Sequence, residues 1–173
     1  MQIAGWGRTR YFDIGEHQID DDAVLTKIAK LGPQWKVIHE FKPRKYRVPG
    51  SLDKYGPMGF WMRLESLGIY CLTFNSDGCL LYHNDFVVAE NNLLPPIREW
   101  TKIEITHEVD EETGKYVISV SSGGIEAMKE ETAKKFGEQI DVTIGVGKPD
   151  PDPQRDDVFL SGVIRGLIVL EKS

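Results

Sequence analysis

The sequence predicts an all-β fold, a two-sheet antiparallel jelly-roll sandwich, and three observations predict it. Apolar and polar residues alternate over most of the chain, which is the pattern of strands with one buried and one solvated face. The 173 residues include 17 Gly and 9 Pro. These residues separate short apolar segments that recur roughly every 8–12 residues. Because helix-like composition is confined to residues 126–136, the strands are expected to pack on each other.

The N-terminal half gives two clear elements. Residues 1–22 are expected to be an irregular segment that precedes a single domain over residues 23–173. Residues 23–31 fit a short helix or a strand, which Gly32-Pro33 would end. Residues 34–42 alternate cleanly and predict a strand. Residues 43–57, with Pro43, Pro49 and Pro57, predict a long basic loop.

The middle of the chain contains turn signals between apolar runs. Two strands are expected to meet near Gly68, and Asn75-Ser76-Asp77-Gly78 predicts a tight hairpin turn. Asn84-Asp85 predicts a second turn. If the first turn is right, Phe74 faces Cys79 and Cys71 faces Tyr82 across the hairpin, so the two sulfurs are not opposed. A disulfide and two small, partly buried thiols both remain open.

The C-terminal half contains the strongest alternation. Residues 100–124 predict two paired strands around an acidic turn, and residues 126–136 fit a helix or an edge strand. Residues 139–147 predict a strand, residues 148–157 a proline-rich acidic loop, and residues 159–172 a last buried strand. The predicted core contains the following residues: Trp35, Val37, Phe41, Phe60, Leu72, Phe74, Leu80, Trp100, Ile103, Ile105, Tyr116, Ile118, Val142, Ile144, Ile164, Leu167 and Val169.

Composition narrows the classes of partner. The net charge of −6 argues against nucleic acid as the main partner and suits neutral or cationic ligands. No apolar run approaches the roughly 18 residues of a membrane span, so no membrane insertion is expected. Residues 1–20 contain no apolar signal core. The sequence gives no indication of an oligomeric state.

Several phrases together resemble the concanavalin A-like lectin/glucanase superfamily, in its laminin-G-like branch. They are WKVIHEFKP, IYCLTFNSDGCLLY, EWTKIEIT followed by GKYVISVSSGG, and GVIRGLIVL. The resemblance covers about residues 25–170, and its matching positions are structural. It implies a concanavalin A-like sandwich and an extracellular location. The residues that fit it are Trp35, Phe41, Trp100, Ile103, Ile105, Tyr116, Gly162, Ile164, Arg165 and Leu167.

The acidic run Glu108, Asp110 and Glu112 has the spacing of the three carboxylates on a glucanase strand of this superfamily. Two features oppose that interpretation. Glu111 stands where an apolar residue is expected, and Thr113-Gly114 follows at once. The run is therefore interpreted as a solvated hairpin turn, and no catalytic residue is predicted.

Two loops supply the predicted ligand-binding residues. Aromatic faces suit the apolar sides of sugar rings, and Arg suits their hydroxyl or acidic groups. The alternative is that these tyrosines pack back on the sheet and the loop is only polar. The predicted ligand-binding residues are Arg44, Tyr46, Arg47, Tyr55, His83, Asn84 and Asp85.

The acidic loop is the predicted metal site. Calcium takes several carboxylate and carbonyl oxygens, and Asp150, Asp152, Asp156 and Asp157 lie close together in sequence. The alternation of Asp with Pro directs neighbouring side chains apart, so a solvated loop is the competing interpretation.

The sequence thus predicts a non-catalytic extracellular recognition module, lectin-like and carbohydrate-binding, with calcium as the cofactor that would shape its site. A glycan or an extracellular protein is the expected partner. The first alternative is a protein-binding or structural adhesion domain of laminin-G type, and the second is a small glycoside hydrolase or lyase. The superfold hosts all three, so fold alone does not choose among them.

Overall fold

A computed structural model of the protein describes residues 5–19, 24–46, 58–64, 68–84, 86–131, 139–146 and 161–172. The described part of the chain contains strands and turns, and no helix there is long and apolar enough to cross a membrane. Its strands are β1 Arg8–Phe12, β2 Glu16–Gln18, β3 Val24–Leu31, β4 Trp35–Lys45, β5 Met58–Leu64, β6 Gly68–Asn75, β7 Gly78–His83, β8 Phe86–Asn91, β9 Thr101–Val109, β10 Tyr116–Ser122, β11 Ile125–Glu131, β12 Ile140–Val146 and β13 Ser161–Glu171.

The strands form two antiparallel sheets. The seven-stranded sheet has the order β1-β13-β4-β9-β10-β11, and β2 also pairs with β13. The six-stranded sheet has the order β3-β12-β5-β6-β7-β8. Each sheet joins consecutive hairpin strands, β5 to β8 or β9 to β11, to strands that are distant in sequence, such as β12 beside β3 and β13 beside β4. This mixture is typical of a jelly roll. The predicted two-sheet antiparallel sandwich is therefore confirmed.

The core lies between the two sheets. Alternate residues of β4 point inward, so that Trp35, Val37 and Phe41 are at most 1% exposed. Phe41 stacks on Phe74 of the opposite sheet, with ring centroids 5.4 Å apart. Leu72 is inward-facing too, and one apolar cluster joins both sheets. Burial of this layer is the main source of stability.

Two residues of the predicted core face outward instead. Leu80 points away from the core because Phe74 pairs with Cys79, which makes Cys79 and Leu81 the inward residues of β7. Trp100 precedes β9, on the outer side of the seven-stranded sheet, where cationic side chains cover it. Tyr116 is only partly buried, and the side chain of Phe60 lies outside the described part.

The N-terminal segment is not irregular where it is described. Residues 8–12 and 16–18 form β1 and β2, which pair with β13. Trp6 packs with Ile38, Ile168 and Leu170 on the outer face of the sheet. Pairing with β13 and the Trp6 contact hold these strands in place. They therefore lack the alternating buried side chains that would predict a strand from sequence.

The ambiguous segments resolve as strands. Residues 24–31 form β3 and residues 125–131 form the edge strand β11, while residues 132–138 lie outside the described part. The predicted hairpin register is confirmed, since Cys71 pairs with Tyr82 and Phe74 with Cys79. The two cysteines are buried and free, and they point to opposite faces of the sheet.

A bulge in β13 re-aims its side chains. Arg165 pairs with Glu40 and Ile168 with Ile38, so β13 has one more residue than β4 in this interval. Gly166, with φ of 65°, takes the left-handed conformation that such a bulge requires. Arg165 consequently stays on the outer face while Leu167 enters the core.

Candidate functional site

The basic loop predicted to bind ligand is described only at its start. Arg44 is exposed at the end of β4, and its Nη2 donates to Gln18 Oε1 at 3.2 Å. Tyr46 turns inward instead: its ring lies 6.5 Å from that of Phe74 and its hydroxyl donates to the Pro95 carbonyl at 2.5 Å. Burial raises the pKa of Tyr46, so its hydroxyl remains a donor. Arg47 and Tyr55 lie outside the described residues.

The second predicted ligand loop is the turn after β7. The His83 ring stacks on Tyr70 at 4.4 Å, with an interplanar angle of 9°. Asn84, with φ of 54°, exchanges hydrogen bonds with Ile69: its Oδ1 accepts at 3.0 Å and its backbone N–H donates at 2.8 Å. These contacts fix the shape of the turn. Asp85 lies outside the described residues.

The structure does not bring these two groups together. Tyr46 packs near Phe74 at one end of β6, and His83 packs on Tyr70 nearer its other end. Four residues of strand separate Tyr70 from Phe74, which is roughly 13 Å. Arg44 and Tyr46 therefore belong to one end of the sandwich, and His83 and Asn84 to the other.

The acidic run forms the predicted turn. Glu108 lies near the end of β9 and pairs with Lys172 at 3.5 Å. The Asp110 carboxylate accepts from the Glu112 backbone N–H at 2.9 Å and from Lys129 Nζ at 3.1 Å. The N–H of Gly114 donates to the Asp110 carbonyl at 2.8 Å, closing the turn. Asp110 is thus engaged as a turn-forming residue, and its pKa is lowered by the backbone and Lys129 hydrogen bonds.

The predicted calcium ligands Asp150, Asp152, Asp156 and Asp157 all lie outside the described residues. Within the described ranges, no group of three or more His, Cys, Asp or Glu side chains is arranged to hold a metal ion. An open cleft of about 530 Å³ next to the β6–β7 turn is lined by Asp77, Glu90 and neighbouring residues. It offers two carboxylates beside amide groups.

The most organised polar group lies on the outer face of the seven-stranded sheet, and we call it the Trp100 cluster: Glu40, Lys42, Trp100 and Arg165. The Arg165 Cζ lies 3.7 Å from the Trp100 ring centroid, and Lys42 Nζ lies 4.9 Å from it. Arg165 also donates through Nε and Nη2 to Glu40 Oε2, at 3.2 and 2.9 Å. The ring and the ion pair hold each other in fixed positions.

A cleft of about 510 Å³ adjoins this cluster, and we call it the basic cleft: Lys42, Pro43, Arg44, Arg98, Gly162 and Val163. Lys42 and Arg44 alternate on β4 and so share the outer face. Arg98 reaches the cleft because its backbone N–H donates to the Pro43 carbonyl at 2.8 Å. Three cationic residues therefore line one opening in a chain whose net charge is −6.

Sequence reasoning found Arg44 but missed its neighbours. Trp100 begins a segment in which apolar and polar residues alternate, so the sequence predicts that its ring lies in the core. Lys42 looked like an ordinary solvated strand position. Arg165 matches a sequence phrase of the superfamily and is therefore interpreted as a structural residue. The residues next to it in sequence do not predict its contact with Trp100. The registers of β13 and of β9 on β4 bring these residues together.

Comparison with solved structures supports the fold. The chain is similar to a heptameric SAP-like pentraxin from Limulus polyphemus (TM-score 0.57, 14% identity, 91% of this chain and 74% of that one). It is also similar to an endo-β-1,4-glucuronan lyase from Trichoderma reesei (TM-score 0.57, 9% identity, 98% of this chain and 92% of that one). A third similar structure is the carbohydrate recognition domain of Emp47p (TM-score 0.52, 10% identity, 94% of this chain and 89% of that one). All three have concanavalin A-like sandwich folds.

No protein-family model matches the chain, and no curated protein sequence matches it. The similarity is therefore one of fold. At these sequence identities, a shared fold does not indicate a shared ligand or reaction.

Proposed function

We propose that the protein is a non-catalytic carbohydrate-recognition module that binds glycan on the outer face of the seven-stranded sheet. The observation that carries the proposal is the Trp100 cluster, in which Arg165 is stacked on Trp100 and ion-paired with Glu40. Sugar hydroxyls are recognised by donors and acceptors held in fixed positions near an aromatic ring. The cluster supplies cationic donors and a carboxylate acceptor on a rigid sheet.

The half-buried state of Trp100 suits this role. A fully buried ring would be part of the core, and a fully exposed ring would leave Arg165 unrestrained. The carbohydrate recognition domain among the similar structures supports the proposal at the level of the fold. Of the residues predicted to bind ligand, Arg44 adjoins this cluster through the basic cleft.

Calcium assistance remains a prediction, because all four candidate aspartates lie outside the described residues. Ligand contacts by Arg47, Tyr55 and Asp85 also remain predictions for that reason. An extracellular location remains a prediction that rests on the resemblance to the superfamily.

A protein-binding adhesion module is the second candidate, and one observation favours it. Phe12, the last residue of β1, is 57% exposed, and Ile14, two residues later in the chain, is 77% exposed. Large exposed apolar side chains that are close in sequence suit a surface that a partner covers. Such a module would bind protein and ignore free sugars.

The test is a glycan array, run in calcium and again with chelator, with wild-type protein and the Arg165→Gln variant. We expect specific binding that Arg165→Gln weakens by about tenfold, while an Arg8→Gln control on β1 binds as wild type. Loss on chelation would locate calcium in the site. Blank arrays in both buffers would contradict the carbohydrate proposal and leave the adhesion module in front.

The catalytic alternative is tested with polysaccharide cleavage assays, because a glucuronan lyase shares the fold. We expect no turnover by wild-type protein. Turnover that Glu108→Gln or Glu112→Gln abolishes would overturn both the non-catalytic proposal and the interpretation of the acidic run as a turn.

A further inference from the structure

The basic cleft concentrates positive charge in an acidic protein. Its described lining contains Lys42, Arg44 and Arg98 and no carboxylate. Two described acidic residues near the Trp100 cluster are paired with another cation: Glu40 and Glu16 lie 2.9 and 3.6 Å from Arg165. The charge of Arg165 is thus balanced by two carboxylates, and the described lining of the cleft beside it contains cations only.

Among the described residues, two of the cleft cations have no ion pair. In the ranges that the structure describes, neither Lys42 nor Arg98 lies within ion-pairing distance of a carboxylate; the contact of Lys42 is with the Trp100 ring at 4.9 Å. Unbalanced charges placed side by side repel each other and are costly unless an anion joins them. The arrangement therefore fits an anionic group better than a neutral one.

The backbone holds Arg98 in an unusual conformation for this purpose. Its φ of 65° is in the left-handed region, which a residue with a Cβ rarely adopts. The hydrogen bond from its N–H to Pro43 carbonyl fixes that conformation at the end of β4. Strained backbone that is over-determined by its surroundings is typical of binding sites. Here the strain places a third cation next to two that β4 supplies.

The cleft is continuous with the proposed glycan site, because Lys42 belongs both to the cleft and to the Trp100 cluster. A ligand that engages both must present an anionic group close to sugar hydroxyls. Arg is suited to planar carboxylates and to sulfates through paired hydrogen bonds, and Lys acts as a point charge.

We infer that the basic cleft binds the carboxylate or sulfate group of an acidic polysaccharide, seated between Lys42, Arg44 and Arg98. This inference rests on the proposed carbohydrate-recognition function and names its ligand class. Nucleic acid is disfavoured by the net charge of −6, which would repel a long phosphate backbone outside the cleft.

The test measures affinity by calorimetry for heparin, which carries sulfates, for alginate, which carries only carboxylates, and for neutral dextran. The test variant is Lys42→Gln/Arg98→Gln. The control, Lys27→Gln/Arg8→Gln, removes the same charge from exposed positions on β3 and β1. Circular dichroism and thermal unfolding check that both variants remain folded.

We expect wild-type protein and the control to bind at least one acidic polysaccharide, and the cleft variant to bind it about tenfold or more weakly. Binding of heparin alone would identify sulfate as the group, and binding of alginate alone would identify carboxylate. Added NaCl should weaken wild-type binding more than binding by the cleft variant.

Four outcomes would overturn the inference. Equal losses in the cleft variant and the control would show that only net charge matters. Equally tight binding of single-stranded DNA would show that the cleft selects any polyanion. Binding of neutral glycans on the array without binding of acidic ones would end the inference and leave the proposed function intact, whereas no glycan binding of any kind would end both.

Discussion

Arg10 of β1 and Glu171 of β13 form an ion pair, Nη1 to Oε2, at 2.6 Å that also ties the two sheets together. The same carboxylate oxygen accepts the Gly32 backbone N–H at 2.8 Å, just after β3 of the other sheet. The guanidinium donates in addition to the carbonyls of Ala29 and Lys30 at the end of β3. One side-chain pair thus closes the edge of the sandwich.

Arg10→Ala is expected to reduce the free energy of unfolding by about 2–3 kcal/mol, because it removes the closest cation from the nearly buried Glu171 carboxylate and a donor from two backbone carbonyls. Urea unfolding measures this. Arg8→Ala is the matched control, since Arg8 Nη1 lies 3.9 Å from Glu171 Oε1 and its side chain is 67% exposed. It should cost no more than about 0.5 kcal/mol. Equal costs would contradict the role of Arg10 between the sheets.

Gly166→Ala is expected to destabilise the protein by about 1 kcal/mol through the backbone alone. A Cβ at Gly166 would meet no atom of the described residues within 4 Å, so the expected cost is that of the backbone conformation. Asn tolerates the left-handed conformation better than Ala, so Gly166→Asn should cost less. Thermal unfolding compares the two variants, and a larger cost for Asn would contradict the bulge explanation.

Stability should fall in acid because of His39. Burial lowers the pKa of His39 to about 4, whereas the unfolded residue has a pKa near 6.5. The unfolded chain therefore binds a proton that the folded protein does not, and the contribution of His39 is lost as pH falls from about 6.5 to about 4. Between pH 7 and pH 5 this amounts to about 2 kcal/mol of unfolding free energy.

The pH dependence is measured by urea unfolding of wild type and His39→Gln at both pH values. The variant should lose about 2 kcal/mol less than wild type on acidification. Burial also lowers the pKa of His107, and that contribution is present in both proteins. The same pH dependence in wild type and variant would show that His39 does not titrate in this way.

Both thiols are expected to be free and unreactive in the native protein. Burial raises the pKa of Cys79 to about 12, and Cys71 is only 7% exposed. At about pH 8 a thiol reagent should label neither residue until denaturant is added, and should then label both without reductant. Single Cys→Ser variants, which should each give one thiol, check the count. Unlabelled protein in denaturant would indicate a disulfide instead.

The sandwich could be predicted because the alternation of apolar and polar residues within each central strand indicates which side chains are buried. Trp35, Val37 and Phe41 alternate, and Asn75 to Gly78 specify a turn, so both β4 and the β6–β7 hairpin follow from local sequence. Strands β1 and β2 could not be predicted, because pairing with β13 stabilises them. The basic cleft could not be predicted for the same reason, because it depends on a contact between distant residues. The Arg98–Pro43 hydrogen bond brings Arg98 next to Lys42.

The placement of β13 also governs how the chain can fold. It lies between β4 and the pair β1 and β2, yet it is the last described strand in the sequence. During synthesis at about 5–20 residues per second, β1 and β2 wait until residues 161–171 have left the ribosome before they meet their partner. Such distant pairings make contact order high and folding slow, on a scale of milliseconds to seconds. Until then the edge of β4 that pairs with β13 is open to other chains, so newly made protein should depend on chaperones more than its finished stability suggests.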